Sequence, residues 1–200
     1  MNRGAMIVVM AALALAACAK EREVPPADEG PVPGSTAFKT AQALTAGPDW
    51  LAGIATIAQW PPSDTAQFII LRPGPGGWTC FPDLPMTPRN DPFCVDDQFL
   101  RWVTAWRGHA SAPSLDGMAI AYAFRGMQVA SATDPLKASP DSGQPWVEVP
   151  PAVLIAMPNG ATTRSLPAAR PANGPWVMWN GTPWAVMVVP YAAPAPVSKK

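Results

Sequence analysis

The 200 residues carry 14 basic and 14 acidic side chains and 1 histidine. Zero net charge with no basic stripe argues against nucleic acid as a partner, and a lone histidine excludes HExxH and every multi-histidine metal site. Hydrophobic residues at 48% point to a globular chain, long enough for one domain and short for two, while 27 prolines predict irregular connections and 9 tryptophans require an explanation.

In chain order, residues 1–18 come first, reading MNRGAMIVVMAALALAAC. Arg3 supplies a positive head, and Ala5 to Ala17 is an uncharged apolar run. As a helix it would span about 20 Å, too short for a bilayer core of about 30 Å. A charged head, a short apolar run and small residues at its end predict an export signal over 1–17. Leu15-Ala16-Ala17-Cys18 resembles a bacterial lipobox, which implies that Cys18 is lipidated and becomes the first mature residue. Several acyl chains anchor firmly, since each buried CH₂ contributes about 0.8 kcal/mol. Ala19, in place of the aspartate that resembles an inner-membrane retention signal, favours the outer membrane. Of the 3 cysteines, Cys80 and Cys94 then remain as a pair in an oxidising compartment. With no CxxC spacing, they read as a structural disulfide stabilising by roughly 3 kcal/mol.

Residues 18–35 mix charge, Pro and Gly without periodicity and predict a disordered tether, and 192–200 predict a loose tail. The domain is expected over 36–191. Thr36 to Ala46 predicts a short helix ended by Gly47-Pro48, and Ile54 to Trp60 a strand. Gln67 to Arg72 and Gly77 to Phe81 predict two strands joined as a hairpin across RPGPGG. Asp96 reads as the N-cap of the main helix, through about Arg107, with Phe99, Leu100, Val103 and Trp106 at helical spacing.

Met118 to Phe124 alternates bulky residues with alanines, which predicts a bulky core face and a thin face. Trp146 to Val149 and Ala152 to Met157 predict two more strands. The stretch 176–189, WVMWNGTPWAVMVV, predicts a hairpin closed by Asn180-Gly181 in a type I′ turn. Its second arm is apolar on both faces and belongs inside the sheet. Strands dominate without βαβ alternation, so the expected class is α+β, one domain on a mostly antiparallel sheet with Pro-rich connections and one disulfide.

Chemistry is sparse. His109 lies just past a helix end, where a cation suits the dipole. Gly74, Gly76 and Gly77 are interrupted by prolines and read as a turn, not a phosphate loop. Asp83, Asp91, Asp96 and Asp97 supply oxygen ligands without EF-hand spacing, so 76–97 reads as a stapled loop rather than a calcium site. The methionines are scattered over core-like strands, which favours packing over copper binding. No cofactor is implied.

Most tryptophans read as core. Trp176, Trp179 and Trp184 bracket the Asn-Gly turn, and a two-residue turn would set Trp179 and Trp184 on one face as diagonal neighbours. They are the candidate binding residues, forming an outward stacking or docking surface for a protein or a glycan.

The pattern GGWTC-FPD-x-P…NDPFC-x-D, with Trp179-x-GTPWA, resembles a group of uncharacterised exported bacterial proteins over about residues 54–190. The resemblance implies a shared single-domain architecture and no catalytic residue. The expected function is that of a lipid-anchored, periplasm-facing, non-enzymatic envelope protein that binds a partner. The alternative is an envelope hydrolase using two carboxyl groups in acid–base roles.

Overall fold

A computed structural model of the chain describes residues 30–64, 66–158 and 166–191. The signal segment 1–17, Cys18, the tether up to residue 29 and the tail 192–200 lie outside the described residues. Helix α1 (Thr36–Leu44) begins where Ser35 Oγ accepts from Phe38 N at 3.1 Å, a side-chain N-cap. A 3₁₀ turn (Asp49–Gly53) follows, burying Leu51 and leaving Trp50 half exposed. Strands β1 (Thr56–Gln59), β2 (Ile69–Arg72), β3 (Trp78–Phe81) and β4 (Phe93–Asp96) precede the main helix, α2 (Asp97–Arg107). Then come β5 (Ala119–Ala123), β6 (Met127–Val129), β7 (Val147–Val149), β8 (Ala152–Ala156), β9 (Trp176–Met178) and β10 (Val186–Pro190).

Eight strands form one sheet in the order β2-β1-β3-β4-β5-β8-β10-β9, and β6 and β7 pair separately. Every neighbouring pair is antiparallel except β1 with β3. The α+β class on a mostly antiparallel sheet therefore holds, and the described residues from Pro31 onward form one compact unit. As its two apolar faces require, β10 is paired on both sides, with β8 and β9.

One strand pairing differs from expectation. Strands β2 and β3 are not a hairpin, because β1 lies between them. The RPGPGG segment crosses the start of β1 instead: Gly74 N donates to Thr56 Oγ1 at 3.1 Å and Gly76 N to Ile54 O at 3.0 Å. A Cβ at Gly74 would fall 2.4 Å from the Ala55 carbonyl carbon, so only glycine lets the backbones pass this closely.

Side-chain alternation divides the core between the two sheet faces. Phe81, Phe93, Val95, Ala121, Leu154 and Val188 pack with Phe99 and Trp102 of α2. On the other face Ile57, Cys80 and Cys94 pack with Ala43, Ala46 and Leu51. The expected polarity of β5 is reversed. Ala119, Ala121 and Ala123 are the fully buried residues, while Ile120 and Tyr122 are only partly covered on the opposite face. The aromatic face of α2 needs the room that alanines leave.

Cys80 and Cys94 form a disulfide, and they sit directly opposite one another on β3 and β4, Cα–Cα 4.0 Å. The stapled loop of the sequence is thus a stapled pair of central strands with residues 82–92 as their connection. Within it Asp83 Oδ1 accepts from the backbone N–H groups of Leu84 (2.8 Å) and Asp91 (2.9 Å). The fully buried Asp91 accepts from Thr87 Oγ1 (2.8 Å) and from Gln128 N of β6 (2.9 Å). Asp96 caps α2, its Oδ1 accepting from Phe99 N at 2.6 Å, and its Oδ2 accepts from Ile120 N of β5 at 3.0 Å. Burial pushes the Asp91 and Asp96 carboxyls above the usual range, against their hydrogen bonds, which pull them down.

Candidate functional site

Trp179 and Trp184 do not form an outward surface. They are 6% and 3% exposed, and Trp176 is 5% exposed. The reason lies in the turn. Met178 pairs with Val186, so residues 179–185 all belong to the connection and no two-residue turn exists. Trp179 itself takes the left-handed conformation (φ 56°) together with Gly181 (φ 80°), and this folds the chain back toward α2. Trp179 then stacks on Trp102 (5.7 Å between ring centres, 19° between planes), and Trp184 meets the same Trp102 ring edge to face at 5.3 Å. The Trp179 backbone N–H donates to Ala132 O at 2.9 Å and its indole N–H to Ser131 O at 2.8 Å.

Beside these rings lies a cavity of about 250 Å³. Its inner wall is α2, through Phe99, Trp102, Val103 and Trp106, with the sheet behind it, through Phe93, Leu154 and Met178. The outer wall is β6, residues 130–138 and Trp146. Trp60 closes one end, packed against Phe68, Phe81, Phe93 and Trp106 with ring centres 5.4–6.4 Å apart. The outer wall is tied to the inner one at three places. Trp106 Nε1 donates to Pro135 O at 2.6 Å, Trp179 contributes its two bonds, and Asp91 holds Gln128 N. Glu148 of β7 is bridged to the 82–92 loop by Arg89, Nη1 to Oε2 at 3.0 Å.

Polar groups stand at the rim. His109 (φ 52°) pairs with Asp64 across 3.5 Å, and both side chains are largely exposed. Lys137 Nζ meets Asp141 at 2.5 Å. Arg107 is the buried cation among the lining residues. It is 8% exposed, one nitrogen donates to Ala66 O at 2.7 Å, and the guanidinium lies over the Phe68 ring at 4.2 Å. The lining is thus largely aromatic and aliphatic, with a few polar groups at its edge. Sequence reasoning missed it, although Trp102, Trp106 and Arg107 stand within two turns of one helix.

The acidic residues of 76–97 have structural uses instead of converging on a cation. Asp83 and Asp91 organise the 82–92 loop, while Asp96 and Asp97 open α2. Among the described residues no group of three or more His, Cys, Asp or Glu side chains converges.

A second aromatic feature lies on the opposite face of the sheet. Trp50, 50% exposed, meets Trp78 edge-on at 5.6 Å, and Trp78 stacks on Tyr122 at 5.1 Å. Tyr122 continues to Phe124 (5.3 Å) and Phe124 to Tyr191 (3.9 Å), which makes a row of partly exposed rings.

No protein-family model, curated protein or solved structure matches this chain.

Proposed function

We propose that this chain is a non-enzymatic, lipid-anchored binding protein of the bacterial envelope, held by Cys18 at the outer membrane and facing the periplasm. Its domain encloses a small apolar ligand in the tryptophan-lined cavity. The lipobox supports the location, and the cavity carries the binding reading: about 250 Å³ walled by aromatic side chains from α2, the sheet and β6. A 150 Å³ apolar cavity holds benzene, so this one suits a ligand of roughly ten non-hydrogen atoms.

Two measurements test the two halves. A palmitate analogue should label the wild type and not Cys18→Ser, and labelling that survives the substitution removes the anchor. Phenylpropanol should change the tryptophan fluorescence of the wild type saturably, and Ala130→Trp, which fills the cavity from its outer wall, should abolish the change. A linear, non-saturating response, or one indifferent to Ala130→Trp, removes the cavity ligand.

The row Trp50, Trp78 and Tyr122 supports a second reading, a platform for an envelope protein or glycan, because a half-exposed indole presents a free stacking face. A hydrolase with paired carboxyls draws less support. The two carboxyls shifted by burial, Asp91 and Asp96, are engaged by backbone N–H groups and do not line the cavity; of the two that do, Asp64 pairs with His109 and Asp134 Oδ1 accepts from Leu136 N.

A further inference from the structure

Buried polar groups in folded proteins nearly all have partners, so a cluster without them needs a reason. Among the described residues, the buried side-chain atoms left without one are Trp60 Nε1, Trp102 Nε1, Arg107 Nε and Nη1, Gln128 Oε1 and Asp91 Oδ1. Asp91 Oδ1 has Arg89 Nε at 3.7 Å, and Asp91 does not line the cavity. All the others belong to cavity-lining residues. Four are donor N–H groups and one is an acceptor, and two of the donors carry positive charge.

The charge is the costly part. No carboxylate among the described residues reaches ion-pair distance of Arg107; Asp64 attracts it from farther away. A buried unpaired cation costs several kcal/mol unless hydrogen bonds and an opposite charge offset it. The contacts to Ala66 O and the Phe68 face offset only part, and burial still pulls the guanidinium below its ordinary value. The other cation at the cavity, Lys137, already has Asp141.

We propose that the ligand of this cavity is an apolar molecule carrying one carboxylate, which pairs with Arg107 at the end bounded by Trp60 while the apolar body lies among the tryptophans. The inference rests on the cavity reading above and adds the ligand's polar group. The unused Nε–H and Nη1–H lie on different edges of the guanidinium, so a carboxylate pairs with one of them and shares the second N–H of Nη2, whose first goes to Ala66 O. At 8% exposure and against aromatic walls, the guanidinium in that pair is screened less than at an open surface.

The experiment compares phenylpropionate with phenylpropanol, probes of nearly equal size and the same apolar body, titrated into the full chain by calorimetry. The wild type should bind the carboxylate at least tenfold more tightly. Arg107→Met should reduce that ratio to about one while still binding phenylpropanol, Arg107→Lys should keep part of it, and Arg101→Gln, an exposed α2 cation that does not line the cavity, should leave it unchanged. The wild-type comparison stands even if a variant fails to fold. Equal affinities for the two probes, or a preference that survives Arg107→Met, overturn the role of Arg107 and leave the cavity reading intact. Binding of neither probe overturns both.

Discussion

The left-handed backbone at Trp179 makes a prediction that inverts the usual ranking of two substitutions. In a strand or helix interior, glycine is less stable than alanine by roughly 0.5–1 kcal/mol because it loses more chain entropy. At Trp179, with φ at 56°, alanine keeps the Cβ clash that costs roughly 1–2 kcal/mol and glycine does not. Trp179→Gly should therefore be the more stable of the two, by about 1 kcal/mol. Both should be far below the wild type. The indole is 6% exposed, stacks on Trp102, and satisfies Ser131 O, so its removal to alanine should cost about 3–5 kcal/mol. Trp179→Phe isolates the hydrogen bond and should cost about 1–3 kcal/mol, because Ser131 O loses its buried donor. Urea unfolding of the four proteins, with midpoints compared at constant slope, measures all of these. If alanine outranks glycine, or if both cost less than about 1 kcal/mol, Trp179 is an ordinary exposed strand residue and the inward turn is wrong.

Other outcomes are equally specific. Reduction of Cys80–Cys94, 14 residues apart, should destabilise the domain by about 3 kcal/mol. Both cysteines are fully buried, so the bond should resist reductant until denaturant opens the sheet; rapid reduction of the native protein refutes this. Asp91 holds its proton more tightly folded than unfolded, so its ionisation costs stability that is absent below the unfolded pKa near 3.8 and develops as pH rises through the raised folded value. The stability of Asp91→Asn relative to the wild type should therefore climb with pH across that window, as read from urea midpoints, and a falling difference reverses the assignment.

Much of the frame was legible because local chemistry and tertiary packing agree there. Asp96 caps the helix it was expected to cap, and Gln67 to Arg72 and Ala152 to Met157 contain strands. Strand β4 was hidden because its four residues follow Pro92 and end on the helix cap Asp96 itself, too short to show alternation. The place of β1 between β2 and β3 is a non-local choice, made by the close crossing at Gly74. The tryptophans misled for a related reason. Asn180-Gly181 carries a strong turn signal, yet the left-handed residue before Gly181 is Trp179, a choice set by docking on Trp102 and Ala132. The cavity joins Trp106 and Arg107 of α2 to Trp60 and Trp146 from distant parts of the chain, and no linear spacing relates those two to the helix.

The two walls of the cavity are built to different standards. Strand β4 passes into α2 with no intervening loop, Asp96 ties the junction to β5, and the disulfide fastens β4 to β3. The outer wall belongs to a two-stranded ribbon outside the main sheet, and such a ribbon has marginal stability alone. Local opening takes the cheapest route, so the ribbon side should exchange its amide hydrogens ahead of α2. Were the proposed ligand bound, its residence time would depend on a few clasps, the Asp91–Gln128 contact and the Trp106 and Trp179 donors, more than on the depth of the aromatic walls.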